Sequence, residues 1–350
     1  MDSVKKIYVF IILVTAVVVL IVAQNIIIPF VIAVLFWFVI RVLKKILSKI
    51  RYIKKLPDWI ITIISSLILL SLLFLVITII TTNIRYLSAT LPAYEENISK
   101  VTRRLQQNFE LEFPLVWSNL TSGIEFGNIL SRIFSTLTGL FSDAFIVLTF
   151  LIFILLEESI FPDKIKAMYP DENRYRKINS LIRKIDHSVS NYIAIKTLVS
   201  LLTGILSFFA LLAIGVDAPS FWAFLIFILN FIPSIGSLIA TFFPAFFALL
   251  QFGSFTPAVL VLAVVGTIQI LLGNFMEPRI MGTSMNISPL VVFLTLILWG
   301  MMWGIAGMLL SVPITVILIL IMSEFEGTRP IAILLSRRGK IVDASDTNVI

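Results

Sequence analysis

Residues 218–276 read APSFWAFLIFILNFIPSIGSLIATFFPAFFALLQFGSFTPAVLVLAVVGTIQILLGNFM, 59 positions without one ionisable side chain. A soluble core cannot hide an apolar stretch of this length, because a globule needs a polar surface; the solvent for it has to be a bilayer. The stretch is nevertheless not a set of plain spans. Phe221–Ile232 is interrupted by Asn230 and then by Pro233-Ser234-Ile235-Gly236, and the following run, Leu238–Leu250, carries Pro244. Each half covers roughly 20 Å at 1.5 Å per residue, short of the ~30 Å of hydrocarbon. The spacing predicts a re-entrant hairpin over 220–250 that dips in from outside and returns. Gly236 suits a tight turn because glycine accepts positive φ.

The pattern repeats downstream. Pro257–Leu272 is a clean span running inward, followed by the inner loop Gly273–Gly282 and on to Asn286 and Pro289. From Ile280 to Ser323 there are another 44 residues without a charge. Here Leu290–Trp303 is broken at Gly300, Gly304 and Gly307, and Met308–Met322 contains Pro313. This reads as a second hairpin, 290–322, entering from inside; two long tilted crossing helices are the alternative, and they would place the tail outside. Span, hairpin, span, hairpin with opposite entry is the pattern of an inverted repeat. Short, Gly/Pro-interrupted apolar segments in matching positions point to a transport site. Backbone polar groups freed at a helix break cannot face lipid, so they line a protein-buried or watered cavity where a solute can be held.

Upstream, Lys5-Lys6 precede an unbroken apolar run, Ile7–Ala23, and a second run, Ile26–Ile40, follows the short break Gln24-Asn25. Two spans joined by a tight turn fit this better than a cleaved leader. A third run extends over Trp59–Thr82 behind the helix-start signal Pro57-Asp58, and a fourth over Leu140–Leu156. Loop charge sets orientation. Segment 41–58 holds seven Lys and Arg against one acid, 83–139 five against five, and 157–196 eight against six. The first and last are expected in the cytoplasm and 83–139 outside, with a cytoplasmic N-terminus in the cell membrane.

The predicted organisation is an all-α integral membrane protein, a polytopic helical bundle with two inverted span-plus-hairpin units. Residues 1–82 form three spans with the basic loop 41–58. Residues 83–139 form an external helical segment, 140–156 a fourth span, and 157–192 a cytoplasmic amphipathic segment that carries His187. Residues 193–322 form the transport core and 323–350 a cytoplasmic tail.

The whole chain, 350 residues with 59% hydrophobic and 13% charged side chains, excludes a soluble enzyme, and its net charge of +7 is loop charge rather than a nucleic-acid footprint. There is no Cys and only one His, which removes thiolate chemistry and multi-His metal sites. No G-x-x-x-x-G-K-[ST] loop is present, so energy is expected from a gradient or from none, and no cofactor is expected. The candidate binding side chains are Asn230, Gln269, Asn274 and Asn286, since an amide inside a bundle must be paired with a helix or with a solute. Glu277 could cap an inner cavity or pair with Arg279 or a cytoplasmic Lys. Pro233, Gly236, Pro278, Gly282, Gly304, Gly307 and Pro313 are expected to shape tips and hinges.

Several of these residues together resemble the AI-2E family of permeases, named for exporters of the quorum-sensing signal autoinducer-2. The resemblance covers the chain in span layout and is most specific in 220–313. It rests on Asn230-Phe231-Ile232-Pro233-x-x-Gly236, Asn274-x-x-x-Pro278-x-x-x-Gly282, Ser288-Pro289-Leu290, Trp299-Gly300, Trp303-Gly304, Gly307 and Val312-Pro313. A polar residue or His usually precedes the family's Pro; here it is Ser288. The resemblance implies a secondary transporter more strongly than it implies autoinducer-2.

Three functions remain open from sequence. An exporter of a small polar solute fits the amide-rich, charge-free half. A monovalent cation/proton antiporter would need an ionisable group at membrane depth, and only Glu277 is near. A scaffold using 83–139 as an arm would have no need of broken hairpins. Homo-oligomerisation is expected, because short hairpins are poorly shielded from lipid by their own length.

Overall fold

A computed structural model describes residues 2–109, 144–281, 287–337 and 339. Asn286, Gly282 and 110–139 lie outside the described residues. Regular structure is helical: α1 (Asp2–Val22), α2 (Gln24–Leu47), α3 (Asp58–Phe109), α4 (Ala144–Glu158), α5 (Phe161–Met168) and α6 (Glu172–Ile214) are followed by α7 (Pro219–Leu229), α8 (Ile235–Phe252), α9 (Phe255–Gln269), a π-helix (Ile270–Met276), α10 (Glu277–Met281), α11 (Pro289–Glu324) and α12 (Arg329–Leu335). Six of these segments are long and apolar enough to cross a membrane, namely Gln24–Leu47, Asp58–Leu87, Glu172–Ile214, Ile235–Phe252, Phe255–Met281 and Pro289–Glu324. Helices α4 and α5 are bent by 63° at their junction. The protein is an all-α, multi-pass membrane protein.

One expected feature is absent. Gln24 and Asn25 form no tight turn; they are the first residues of α2, and only Ala23 separates it from α1. The Ala23 N–H donates to the Val19 carbonyl, and the Ala23 carbonyl accepts from Ile26 and Ile27. Helical bonding on both sides of a single residue leaves no room for a reversal.

The chain packs as two units. One comprises 1–65, 143–194 and 281–350; the other comprises 66–142 and 195–280. The expected core 193–322 is thus shared between them, with one broken apolar segment in each.

In the second unit, α7 and α8 are the arms of a hairpin. Trp222 on α7 faces Phe247 on α8 at 4.9 Å between ring centroids, although 25 positions separate them. The reversal occupies 230–234, where Ser234 takes φ 59 and ψ −57. Gly236 does not supply the positive φ. It is needed for space: a β-carbon there would stand 1.8 Å from the Leu229 carbonyl oxygen. The core of this unit joins Leu87 and Tyr94 of α3, Leu211 of α6, Phe221 and Trp222 of α7, Phe247 of α8, and Val261 and Val265 of α9.

In the first unit α11 is also folded back. Gly304 adopts φ 60 and ψ −139 within it. A β-carbon on Gly307 would sit 1.9 Å from the Trp299 carbonyl oxygen, and one on Gly300 would be 3.0 Å from the Met308 side chain. A straight helix over the 36 residues of α11 would be about 54 Å long. Residues 325–335, even fully extended, reach about 38 Å. Yet the Ser288 N–H donates to the Leu335 carbonyl at 3.1 Å, so the ends of α11 lie closer together than a straight helix allows. Its arms pack on α2 and α6 through Val291, Val312, Val316 and Leu320 against Phe38, Val189 and Tyr192. Near the reversal, Trp299, Trp303 and Leu310 meet Leu20, Ile27 and Val31. The Trp303 indole N–H donates to the Leu20 carbonyl at 3.0 Å.

Candidate functional site

The polar side chains of the second unit collect on one face of α6. Lys196, Ser200, Thr203 and Ser207 are all buried there. Their spacing of four, three and four residues follows the 3.6-residue helical period, so they line one stripe of an otherwise apolar span. Close packing against α7 is allowed by Gly204, where a β-carbon would lie 3.1 Å from the Ala223 carbonyl oxygen.

Asn230, at the hairpin reversal, is buried and donates from Nδ2 to Ser200 Oγ at 3.2 Å. Glu277 is bound by Lys196, whose Nζ donates to Oε1 at 2.6 Å and to Oε2 at 2.8 Å. The two side chains are only 6% and 15% exposed, so this is a buried ion pair rather than a surface one. Such a pair persists because removing either charge alone leaves the other unpaired in a low-dielectric site. Of the partners considered from sequence, a lysine is the one Glu277 finds.

Gln269 differs from both. It is 5% exposed, and neither Oε1 nor Nε2 has a hydrogen-bond partner among the described residues. Leaving such a group bare costs roughly 1–3 kcal/mol. It is the last residue of α9, and the seven-residue π-helix begins immediately after it. Ser207 Oγ is likewise buried without a partner among the described residues. Asn274, in the π-helix, is exposed, and so is Pro278. Among the sequence candidates, the structure therefore gives Asn230 and Glu277 protein partners, leaves Gln269 buried and unpaired, and turns Asn274 outward. Of the hinge candidates, Gly236, Gly307 and Pro313 are buried, Pro233 is half-buried and Gly304 is exposed.

Sequence reasoning did not single out the α6 stripe. Its signal was present as Ser200, Thr203 and Ser207 at helical spacing with Lys196. It also missed the ties at the base of the first hairpin. Tyr94 Oη donates to Asp217 Oδ2 at 2.6 Å, and Asn97 Nδ2 donates to the Gln251 carbonyl at 2.7 Å. Gln251 in turn accepts from the Asp217 N–H at 2.8 Å and donates to the Gly215 carbonyl at 2.9 Å. Burial, together with the bond to Asp217, raises the Tyr94 phenol above its ordinary range near 10.

In the first unit the charged groups also pair. Arg41 Nη1 donates to Asp186 Oδ1 at 2.6 Å, and its guanidinium stacks on Trp37 at 4.9 Å. The Trp37 indole N–H donates to Glu158 Oε2 at 2.8 Å. Arg41 and Trp37 of α2 are thereby tied to Asp186 of α6 and Glu158 of α4. Lys184 donates to Glu324, at the base of the second hairpin, at 3.2 Å.

Comparison with known proteins places these features. A family model described as AI-2E family transporter matches residues 10–327. The chain is similar to the AI-2 transport protein TqsA of Escherichia coli strain K12, 33% identical over 91% of this chain and 91% of that protein. It is similar to YhhT of the same organism, 36% identical over 57% of this chain and 56% of YhhT. It is also similar to YrrI of Bacillus subtilis, 30% identical over 51% and 50% of the two chains.

Proposed function

We propose a function from one premise: the chain belongs to the AI-2E transporter family. It works as a secondary transporter in the cell membrane, exporting a small polar solute such as autoinducer-2, the AI-2 in the name of its relative TqsA. The observation that carries this reading is the pair of chain reversals, at 230–234 and at Gly304, inside segments with no ionisable side chain. In a bilayer, the backbone groups freed at such breaks have to face protein or a watered cavity, not lipid.

The two hairpins enter the membrane from opposite sides, as the loop charge that orders the spans favours. The N-terminus and the segments 41–58 and 157–196 face the cytoplasm, and 83–139 faces outward. Asn230, Glu277 and the tip glycines shape the path, and alternating access moves the hairpins relative to the N-terminal spans. The protein works as a homo-oligomer.

The buried Lys196–Glu277 pair favours a second reading, monovalent cation/proton antiport, because charged side chains inside an apolar bundle characteristically mark ion pathways. Sealed vesicles carrying the purified protein, loaded with autoinducer-2 and a pH dye, decide between the two. Solute release without a pH change supports the exporter. A cation-dependent pH change without solute release supports the antiporter. Neither signal would remove both.

A further inference from the structure

We propose that Gln269 is the ligand-binding residue of the second unit and that its ligand is a small uncharged molecule presenting hydroxyl or carbonyl groups. The inference rests on the transporter reading and gives that site a chemistry. A primary amide offers an acceptor and two donors. In Gln269 the amide oxygen and nitrogen are both buried with no partner among the described residues, whereas the neighbouring candidates Asn230 and Glu277 bond to Ser200 and Lys196.

Two further observations place the amide beside a binding position. The first is the π-helix that starts at Ile270. Such segments are rare within α-helices and concentrate at functional sites. Its Gly273 has open space where a side chain would be, with nothing within 4 Å. The second is register. Lys196 meets Glu277, while Leu211 and Val261 share one core, so α6 and α9 run antiparallel. Gln269 lies eight positions before Glu277, about 12 Å along the helix. That is the level of the α6 stripe from Thr203 to Ser207, the latter with its own unpartnered hydroxyl.

Charge selects the ligand. Lys196, the buried cation of this stripe, is already neutralised by Glu277. Among the described residues, the α6 stripe offers an ion at Gln269 dipoles but no free counter-charge, and an unpaired charge in such a site is strongly disfavoured. A neutral solute with adjacent donors and acceptors satisfies the amide, and the Ser207 hydroxyl adds another of each.

The test is binding in nanodiscs, followed by thermal unfolding, with three probes of one size: ribose, ribonate and 2-amino-2-deoxyribose. Ribose should stabilise the protein and the two charged probes should not. Gln269→Leu should fold at least as stably as the parent, because it replaces an unsatisfied amide by an apolar side chain of similar size. Its ribose affinity should fall by about tenfold, the loss expected for one to two hydrogen bonds. Equal ribose binding by Gln269→Leu, equal protection by a charged probe, or no protection by any probe would each overturn the proposal. So would a Leu variant that melts well below the parent, since that outcome means the amide is paired within the protein. The result is separable from the transport reading: ribose binding with no vesicle transport strikes the transporter alone, and transport by Gln269→Leu at the parent rate strikes this site alone.

Discussion

Gly236 lies against the carbonyl of Leu229 so closely that a β-carbon would stand 1.8 Å from its oxygen. Gly307 repeats the contact on the carbonyl of Trp299 at 1.9 Å. In both hairpins the side chain four positions earlier, Ile232 or Trp303, is the next neighbour at 3.0 Å. The obstacle is backbone in each case, so it cannot swing aside. Gly236→Ala and Gly307→Ala should each destabilise the protein by about 1–3 kcal/mol, the range for overpacking a close-packed site. Gly273→Ala, at an open position, should not. Melting temperatures of the three purified variants check this, and equal values would refute it.

The ion pair between α6 and α10 should behave non-additively. Lys196→Met or Glu277→Gln alone should cost roughly 3–5 kcal/mol, because each strands a buried charge or leaves its partner underbonded. The double variant Lys196→Met/Glu277→Leu should recover most of that loss. A double-mutant cycle on unfolding free energy measures the coupling, and additive losses would mean that the pair is not formed.

Tyr94 ties α3 to the base of the first hairpin through Asp217. Tyr94→Phe should cost about 1.5–3 kcal/mol, the value of a hydrogen bond to a charged group. The raised phenol also makes a pH statement. A group whose pKa is higher in the folded state contributes stability that is present below its unfolded value, here near 10, and is lost as pH rises through the folded value. Stability should therefore fall above pH 10 more steeply in the parent than in Tyr94→Phe. Parallel alkaline melts test it, and identical slopes would contradict the assignment.

Orientation is open to labelling because the chain has no native Cys. A Cys placed at Ser118, in the segment expected outside and beyond the described residues, should react with an impermeant maleimide in intact cells. One at Asn179 in α6 should react only after lysis. The reverse pattern would invert the topology.

The tie between Trp303 and the Leu20 carbonyl joins the reversal of the second hairpin to the end of α1. Trp303→Phe keeps an aromatic ring and removes the donor. A loss of about 0.5–1.5 kcal/mol in unfolding free energy is expected, and an unchanged melting temperature would show that the bond contributes nothing.

Hydrophobicity and interruption were legible from the residues alone. Composition determined that the bilayer is the solvent, because no fold can bury this much apolar surface inside 350 residues and still dissolve. Pro233, Gly236, Gly300, Gly304 and Gly307 marked where the apolar segments break, since glycine and proline are the residues that backbone sterics require at breaks. Gln24-Asn25 misled, because two polar amides fit a helix's first turn as well as they fit a loop. What the tertiary structure decided is which polar groups meet. That Glu277 finds Lys196, that Asn230 finds Ser200, and that Gln269 finds no partner among the described residues depend on how α6 packs against later parts of the chain, across as many as 81 positions. A one-dimensional pattern records each residue's appetite for a partner; only packing in three dimensions, where desolvation makes an unmet hydrogen bond costly, determines which appetites are satisfied within the chain.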